Sequence, residues 1–370
     1  MVEMRHKSPR WRTYAPRLLK AAVAIALVAA LYRHLFVARP FDDLTTGLWA
    51  RLASAPPWMP LAIAALVPVN LGLEAAKFAA LLPQARRPGL AESLARVCAG
   101  LTVGVFTPNR VGEYLGRLAR AHPGERGATV VATLLGGAAQ WVPLLWGGAV
   151  AALAWPLFAG ATSPLPGWHL AAALAVGALL IGGFLRLGGA VAWAARGSVR
   201  LGALLPGRRA AAALASLRAR LLPLARAASS RPRRLRAALA ISWLRYGIYV
   251  TQLALAFAYC GLEASPAVAA AGTAAILLAQ ALLPVPAVVQ ALARIELARL
   301  LWGGYAPNEV GLATASLLVF VLNLGLPALV GLGVILRSDV ARTLGPRSVR
   351  EPQRPGAGPR AGLVREPRRP

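Results

Sequence analysis

The sequence predicts an all-α, polytopic integral membrane protein of about six spanning helices plus two re-entrant hairpins. Three observations lead there. Apolar residues make up 57% of the 370-residue chain, and the mean hydropathy is +0.57. Several apolar runs reach the ~18 to 20 residues needed to cross a hydrocarbon core. The basic residues behind the formal charge of +28 lie mainly between and beside those runs, as the positive-inside rule expects.

Residues 1–17 read as a basic cytoplasmic N-terminus, and Leu18 to Val37 as the first span. Arg5, Lys7, Arg10, Arg12, Arg17 and Lys20 precede the apolar stretch in the manner of a signal peptide, but no small-residue cleavage site follows. A loop with Arg39, Asp42, Asp43 and Arg51 leads to span two, Trp58 to Leu82, which is interrupted by Pro68 and Asn70 and carries Glu74 and Lys77. A basic turn with Arg86, Arg87 and Arg96 follows.

Val97 to Phe106 is too short to span alone. The Thr107-Pro108 step breaks the helix, because proline lacks a backbone donor and disfavours helix in the residue before it. Tyr114 to Arg120 then forms a second short helix, and His122-Pro123-Gly124 a turn. The segment reads as a hairpin opening to the cytoplasm. Irregular, charged backbone at membrane depth survives only in protein or beside a wet cavity, so this hairpin marks a polar site.

Span three is Ala128 to Trp155, its outer loop Pro156 to Trp168 is uncharged, and span four is His169 to Leu187. The loop Arg186 to Arg236 holds twelve Arg and no acid. Within it, Leu214, Leu217 and Leu221 repeat at helical spacing, which suits either a basic interfacial helix or a solvated loop. Span five is Leu239 to Cys260. Pro266 to Leu283 ends at Pro284-Val285-Pro286, and a polar piece with Gln290, Arg294, Glu296 and Arg299 completes a second hairpin before a turn at Gly303 to Asn308. Span six is Val310 to Leu336, and residues 337–370 have the composition of a disordered basic tail. Residues 18–336 thus form one transmembrane domain. Every basic loop is cytoplasmic if both termini are, and the second hairpin then opens outside. On topology alone, the halves form an inverted repeat with broken helices, a transporter device.

The charge alone would suit nucleic acid, but no RNA-binding or zinc-finger pattern accompanies it, and anionic lipid is the nearer partner. No HExxH, GxSxG, Walker loop or strand-preceded GxGxxG is present, so no enzyme, metal or cofactor is expected. Cys98 and Cys260 read as small buried hydrophobes. The heavy use of Ala, Arg, Gly and Pro suggests a bacterial source with a GC-rich genome, and hence an inner-membrane location.

Ionisable groups inside apolar spans cost ~2.5 to 3.5 kcal/mol each at the helix centre. Glu74 and Lys77, three residues apart, suit a local ion pair that neutralises itself. Glu113, with Arg110 and Arg117 in reach, suits either a headgroup site or a structural salt bridge that pins the hairpin. Arg245, Tyr249 and Gln252 make one polar stripe on span five, with Tyr246 beside them, as a ligand site or a helix-packing seam. Arg294 and Glu296 suit a cavity lining or a snorkelling interfacial pair.

Thr107-Pro108-Asn109-Arg110-Val111-Gly112-Glu113 resembles the T-P-x-x-x-G-E signature of the lysylphosphatidylglycerol synthase transmembrane-region family, the flippase-like domain proteins. Leu244-Arg245-Tyr246 followed by Gln252 is similar to the R-Y…Q pattern of span five in a branch of that family. The likeness covers about residues 15–338 and implies a part that moves lipid across the bilayer. The synthase domain of the two-domain members has no counterpart here. The second-half P-G-G-x-G-x-x-E motif also departs: Ala287, Val288 and Val289 stand after Pro286, ahead of Arg294 and Glu296. The expectation is a transporter of a phospholipid or lipid-linked substrate, with Thr107, Pro108, Arg110, Gly112, Glu113, Arg117, Arg245, Tyr246, Gln252, Arg294 and Glu296 as candidate binding residues. The alternative is a non-transporting membrane partner of an envelope or lipid-synthesis enzyme.

Overall fold

A computed structural model describes residues 41–107, 110–158, 167–186, 232–283, 285–305 and 309–337. The first span, the Leu214–Leu221 repeat, Pro108 and the basic tail lie outside the described residues. Among those described, every regular element is helical. In chain order they are α1 (Phe41–Ser54), α2 (Trp58–Leu81), α3 (Leu90–Gly104), α4 (Glu113–Leu118), α5 (Arg126–Phe158), α6 (Gly167–Leu185), α7 (Pro232–Tyr259), α8 (Pro266–Ala281), α9 (Ala287–Trp302), α10 (Glu309–Phe320) and α11 (Leu326–Arg337). Short 3-10 turns occupy Gln84–Arg86 and Pro123–Glu125, and a π turn, Val321–Gly325, joins α10 to α11. Three stretches, Trp58–Leu81, Pro123–Trp155 and Glu309–Arg337, are long and apolar enough to cross a membrane.

Several boundaries differ from the sequence reading. The loop expected around Asp42 and Arg51 is helix α1, because Leu48 and Leu52, one turn apart, pack on the hydrophobic core. Pro68 and Asn70 do not interrupt α2, which runs through both. A proline removes one helical hydrogen bond, and packing against neighbours holds the rest. The first hairpin begins at Leu90 rather than Val97, so Arg96 lies inside a helix, 4% exposed. Its charge is balanced by Glu92 at 3.0 Å and Glu125 at 3.2 Å, while Arg120 reaches Glu92 at 2.7 Å. Helix α7 likewise starts at Pro232, taking in Arg233, Arg234 and Arg236.

The packing is organised by antiparallel pairs. Along α2 and α7, Gln252 donates to the Ile63 carbonyl, Arg245 to Asn70 and Arg234 to the Leu82 carbonyl, so one helix number rises as the other falls. Helix α3 runs against α11: Thr102 donates to the Ala328 carbonyl at 2.7 Å, and Gly331 lies so close that an added Cβ would stand 2.0 Å from the Cys98 oxygen. Helix α8 runs against α5, where Gly148 meets Leu278 and Ala274, and Gly272 meets Trp155. The first helix of one hairpin, α3, therefore packs on α11, and that of the other, α8, on the 33-residue α5. Two apolar clusters flank the polar centre. One is built around Phe257, Leu253 and Trp302, the other around Phe78, Val97 and Leu135.

Candidate functional site

Glycines set the first half of the site. Gly100 and Gly104 on α3 face Gly112 and Gly116, which lie just before and within α4. A Cβ at Gly104 would meet the Glu113 side chain at 2.7 Å, one at Gly112 the Val103 oxygen at 2.4 Å, and one at Gly116 the Ala99 oxygen at 2.0 Å. The hairpin closes because none of these side chains exists. Thr107 holds its corner, accepting from the Gly112 amide at 2.7 Å and donating to the Gly104 carbonyl at 3.1 Å. Arg110 has φ 58°, a left-handed conformation that a non-glycine residue adopts only under constraint.

This corner delivers Glu113 and Arg117 to the interior. Arg117, 3% exposed, donates from Nη2 to Glu113 Oε2 at 3.0 Å and to Glu74 Oε1 at 2.8 Å, and its guanidinium stacks over the Phe78 ring. Arg110 pairs with Glu113 Oε1 at 2.7 Å. Glu74 Oε2 takes Lys77 at 2.8 Å and also Arg245. Lys77 and Arg245 both donate to Gln140 Oε1, at 3.2 and 3.0 Å, and Arg245 Nε reaches Asn70 Oδ1 at 2.9 Å. The expected Glu74–Lys77 pair exists, but it is one part of a network joining α2, α4, α5 and α7.

These groups line a single cavity of about 370 Å³. Its charged lining residues are Lys77, Arg110, Arg117, Arg245, Arg294, Glu74 and Glu113, an excess of three positive charges. Arg294 comes from the second hairpin. It is 4% exposed, its Nε donates to Gln280 Oε1 at 2.8 Å, and its Nη2 donates to the Tyr249 hydroxyl at 3.1 Å. So residues of both hairpins line one cavity. Leu101, Leu277, Phe320 and Leu324 add apolar wall.

The other sequence candidates divide. Tyr246 lines the cavity with a buried hydroxyl that has no hydrogen-bond partner. Thr107 and Gly112 shape the hairpin without lining the cavity, and Pro108 is outside the described residues. Gln252 also stands off the cavity. It is fully buried, donates to the Ile63 carbonyl at 2.8 Å and accepts from Asn323 at 2.7 Å, which makes it a packing seam. Glu296 is neither in the cavity nor paired with Arg294; it pairs with Arg299 at 3.1 Å. Residues two apart on a helix do not face each other, whereas residues three apart do.

Asn70, Gln140, Gln280 and Asn323 also line the cavity, although none is ionisable and none belongs to a sequence motif. Each is an isolated amide in an apolar run, and that was the available signal. No family model matches the chain, and neither the curated proteins nor the solved structures provide a match.

Proposed function

We propose that this chain is a multi-pass protein of the bacterial inner membrane that moves a phospholipid or lipid-linked substrate across the bilayer. The single observation that carries the reading is the charged cavity shared by both hairpins, set between helices able to cross a membrane. A polar cavity walled by apolar helices gives a headgroup a solvated place at a depth where hydrocarbon would reject it.

Six spans, two hairpins opening on opposite faces and cytoplasmic termini make up the architecture of this reading. Helix α7, with 28 residues, is about 42 Å long at 1.5 Å per residue, enough to cross. Its Arg245 is balanced by Glu74, which lowers the cost of placing it in a membrane. Helix α6 is apolar along most of its length. The antiparallel pairing of α2 with α7, of α3 with α11 and of α8 with α5 is what two halves of opposite orientation would produce. The T-P-x-x-x-G-E resemblance points the same way, since Gly112 and Glu113 of that string build the hairpin corner.

The test is reconstitution of the purified protein into vesicles carrying fluorescent phospholipids, with leaflet exchange read by quenching of the outer leaflet. Gly137 lines the cavity, and a Cβ there would meet nothing within 4 Å. Gly137→Phe should therefore add a ring at the cavity lining without a clash at Cβ. Wild-type protein should speed exchange, and Gly137→Phe should abolish it at unchanged thermal stability. Exchange no faster than in protein-free vesicles, for anionic and zwitterionic headgroups alike, would defeat the transport reading.

A further inference from the structure

We propose that the cavity selects an anionic phosphate-ester headgroup, and that Arg294 is its anchor. The inference rests on reading the cavity as a headgroup site and adds the charge class of its ligand. Five cations line the cavity. Four of them, Lys77, Arg110, Arg117 and Arg245, share the carboxylates of Glu74 and Glu113. Arg294 has no carboxylate partner among the described residues.

Its neighbours orient it without neutralising it. Gln280 and Tyr249 accept from Nε and Nη2 and fix the plane of the guanidinium, and the Tyr249 ring lies 5.8 Å from its centre. Nη1 is buried and has no hydrogen-bond partner. Other buried donors without a hydrogen-bond partner, the Tyr246 hydroxyl and Arg117 Nε, belong to residues that line the same cavity. Burying a charge is costly unless it is paired, and a buried donor left unmade is costly as well. A planar, oriented guanidinium with a free N–H suits a non-bridging phosphate oxygen, for which arginine's fork geometry is matched. The excess of three positive charges favours a ligand that brings negative charge. A headgroup whose phosphate is cancelled by its own ammonium, or reversed by an added amino acid, would leave Arg294 uncompensated.

Thermal unfolding of the purified full-length protein in a neutral detergent tests this. The probes are short-chain phosphatidylglycerol, short-chain phosphatidylcholine and inorganic phosphate. Phosphatidylglycerol should raise Tm saturably and phosphatidylcholine should not. In Arg294→Gln the affinity for phosphatidylglycerol should fall at least about tenfold. The ligand-free Tm should hold or rise, because an uncompensated buried cation has been removed. Arg294→Lys, which keeps the charge and loses the fork, should bind at an intermediate level. Wild-type binding by Arg294→Gln, or equal stabilisation by phosphatidylcholine, would overturn the proposal. A ligand-free Tm that drops in both variants with affinity intact would overturn it too, showing a structural arginine. Stabilisation by inorganic phosphate equal to that by lipid would uphold the anion site and count against lipid as its source. Lipid binding as expected without leaflet exchange would instead defeat transport and leave this inference standing.

Discussion

Arg117 on the first hairpin donates to Glu74 on α2 at 2.8 Å, across 43 residues of sequence. The same Nη2 also reaches Glu113 at 3.0 Å, so one guanidinium joins the hairpin corner to the long helix. Glu74 in turn receives Lys77 and Arg245. The carboxylate is the hub: three cations from three helices converge on it, and its side chain is only 12% exposed.

Glu74→Gln should accordingly be the most damaging single change in the network. Removing one member of a buried ionic set leaves the others uncompensated, which costs about 3–5 kcal/mol. A large drop in Tm, with loss of folded protein in size-exclusion chromatography, is expected. Near-wild-type stability would show that water or another group compensates the cations.

The hairpin should be intolerant of even one methyl group. At Gly116 an added Cβ would stand 2.0 Å from the Ala99 carbonyl oxygen, and backbone cannot swing aside as a long side chain can. Gly116→Ala is expected to cost about 1–3 kcal/mol, the range of an overpacked interior. Gly127→Ala, where a Cβ meets nothing within 4 Å, should leave Tm unchanged or slightly higher. Equal thermal stability of the two variants would refute the close approach of α3 and α4.

The cluster at the base of the first hairpin carries a pH signature. Burial alone would raise the Glu92 carboxyl, but hydrogen bonds and charge from Arg120 and Arg96 outweigh it and hold the group below its ordinary value. A depressed carboxylate contributes stability above its unfolded pKa, about 4.3 for glutamate, and loses it as pH falls through the lower folded value. Wild type should be more stable than Glu92→Gln at pH 7, and the gap should close only below about pH 4.3. A gap independent of pH in unfolding curves would show that Glu92 acts through packing.

Much of the framework was legible in the sequence. The apolar runs located α2, α5, α6 and the paired helices α10 and α11, because length and hydropathy determine which stretches can cross hydrocarbon. The breaks after Phe106 and Leu283 located both hairpins, since the short apolar helices before them end at Gly104 and Ala281, whereas Pro68 lies within a long apolar helix that continues past it. Of the charged residues flanking those breaks, Arg110, Glu113, Arg117 and Arg294 line the cavity and Glu296 does not, while Glu74, Lys77 and Arg245 reach it from unbroken helices. What the sequence could not assign was partnership. Arg294 and Glu296 look like a pair on the page, yet two helical steps turn them apart and Glu296 goes to Arg299. Glu74 and Lys77 look self-sufficient, yet Arg117 and Arg245 arrive from α4 and α7. Asn70 and Asn323, 3.4 Å apart, are 253 residues apart in the chain. Residue type and local spacing specify which groups must be satisfied, and they are read along one helix. Which group satisfies which depends on how glycine-lined helices approach one another, and only the tertiary structure decided that.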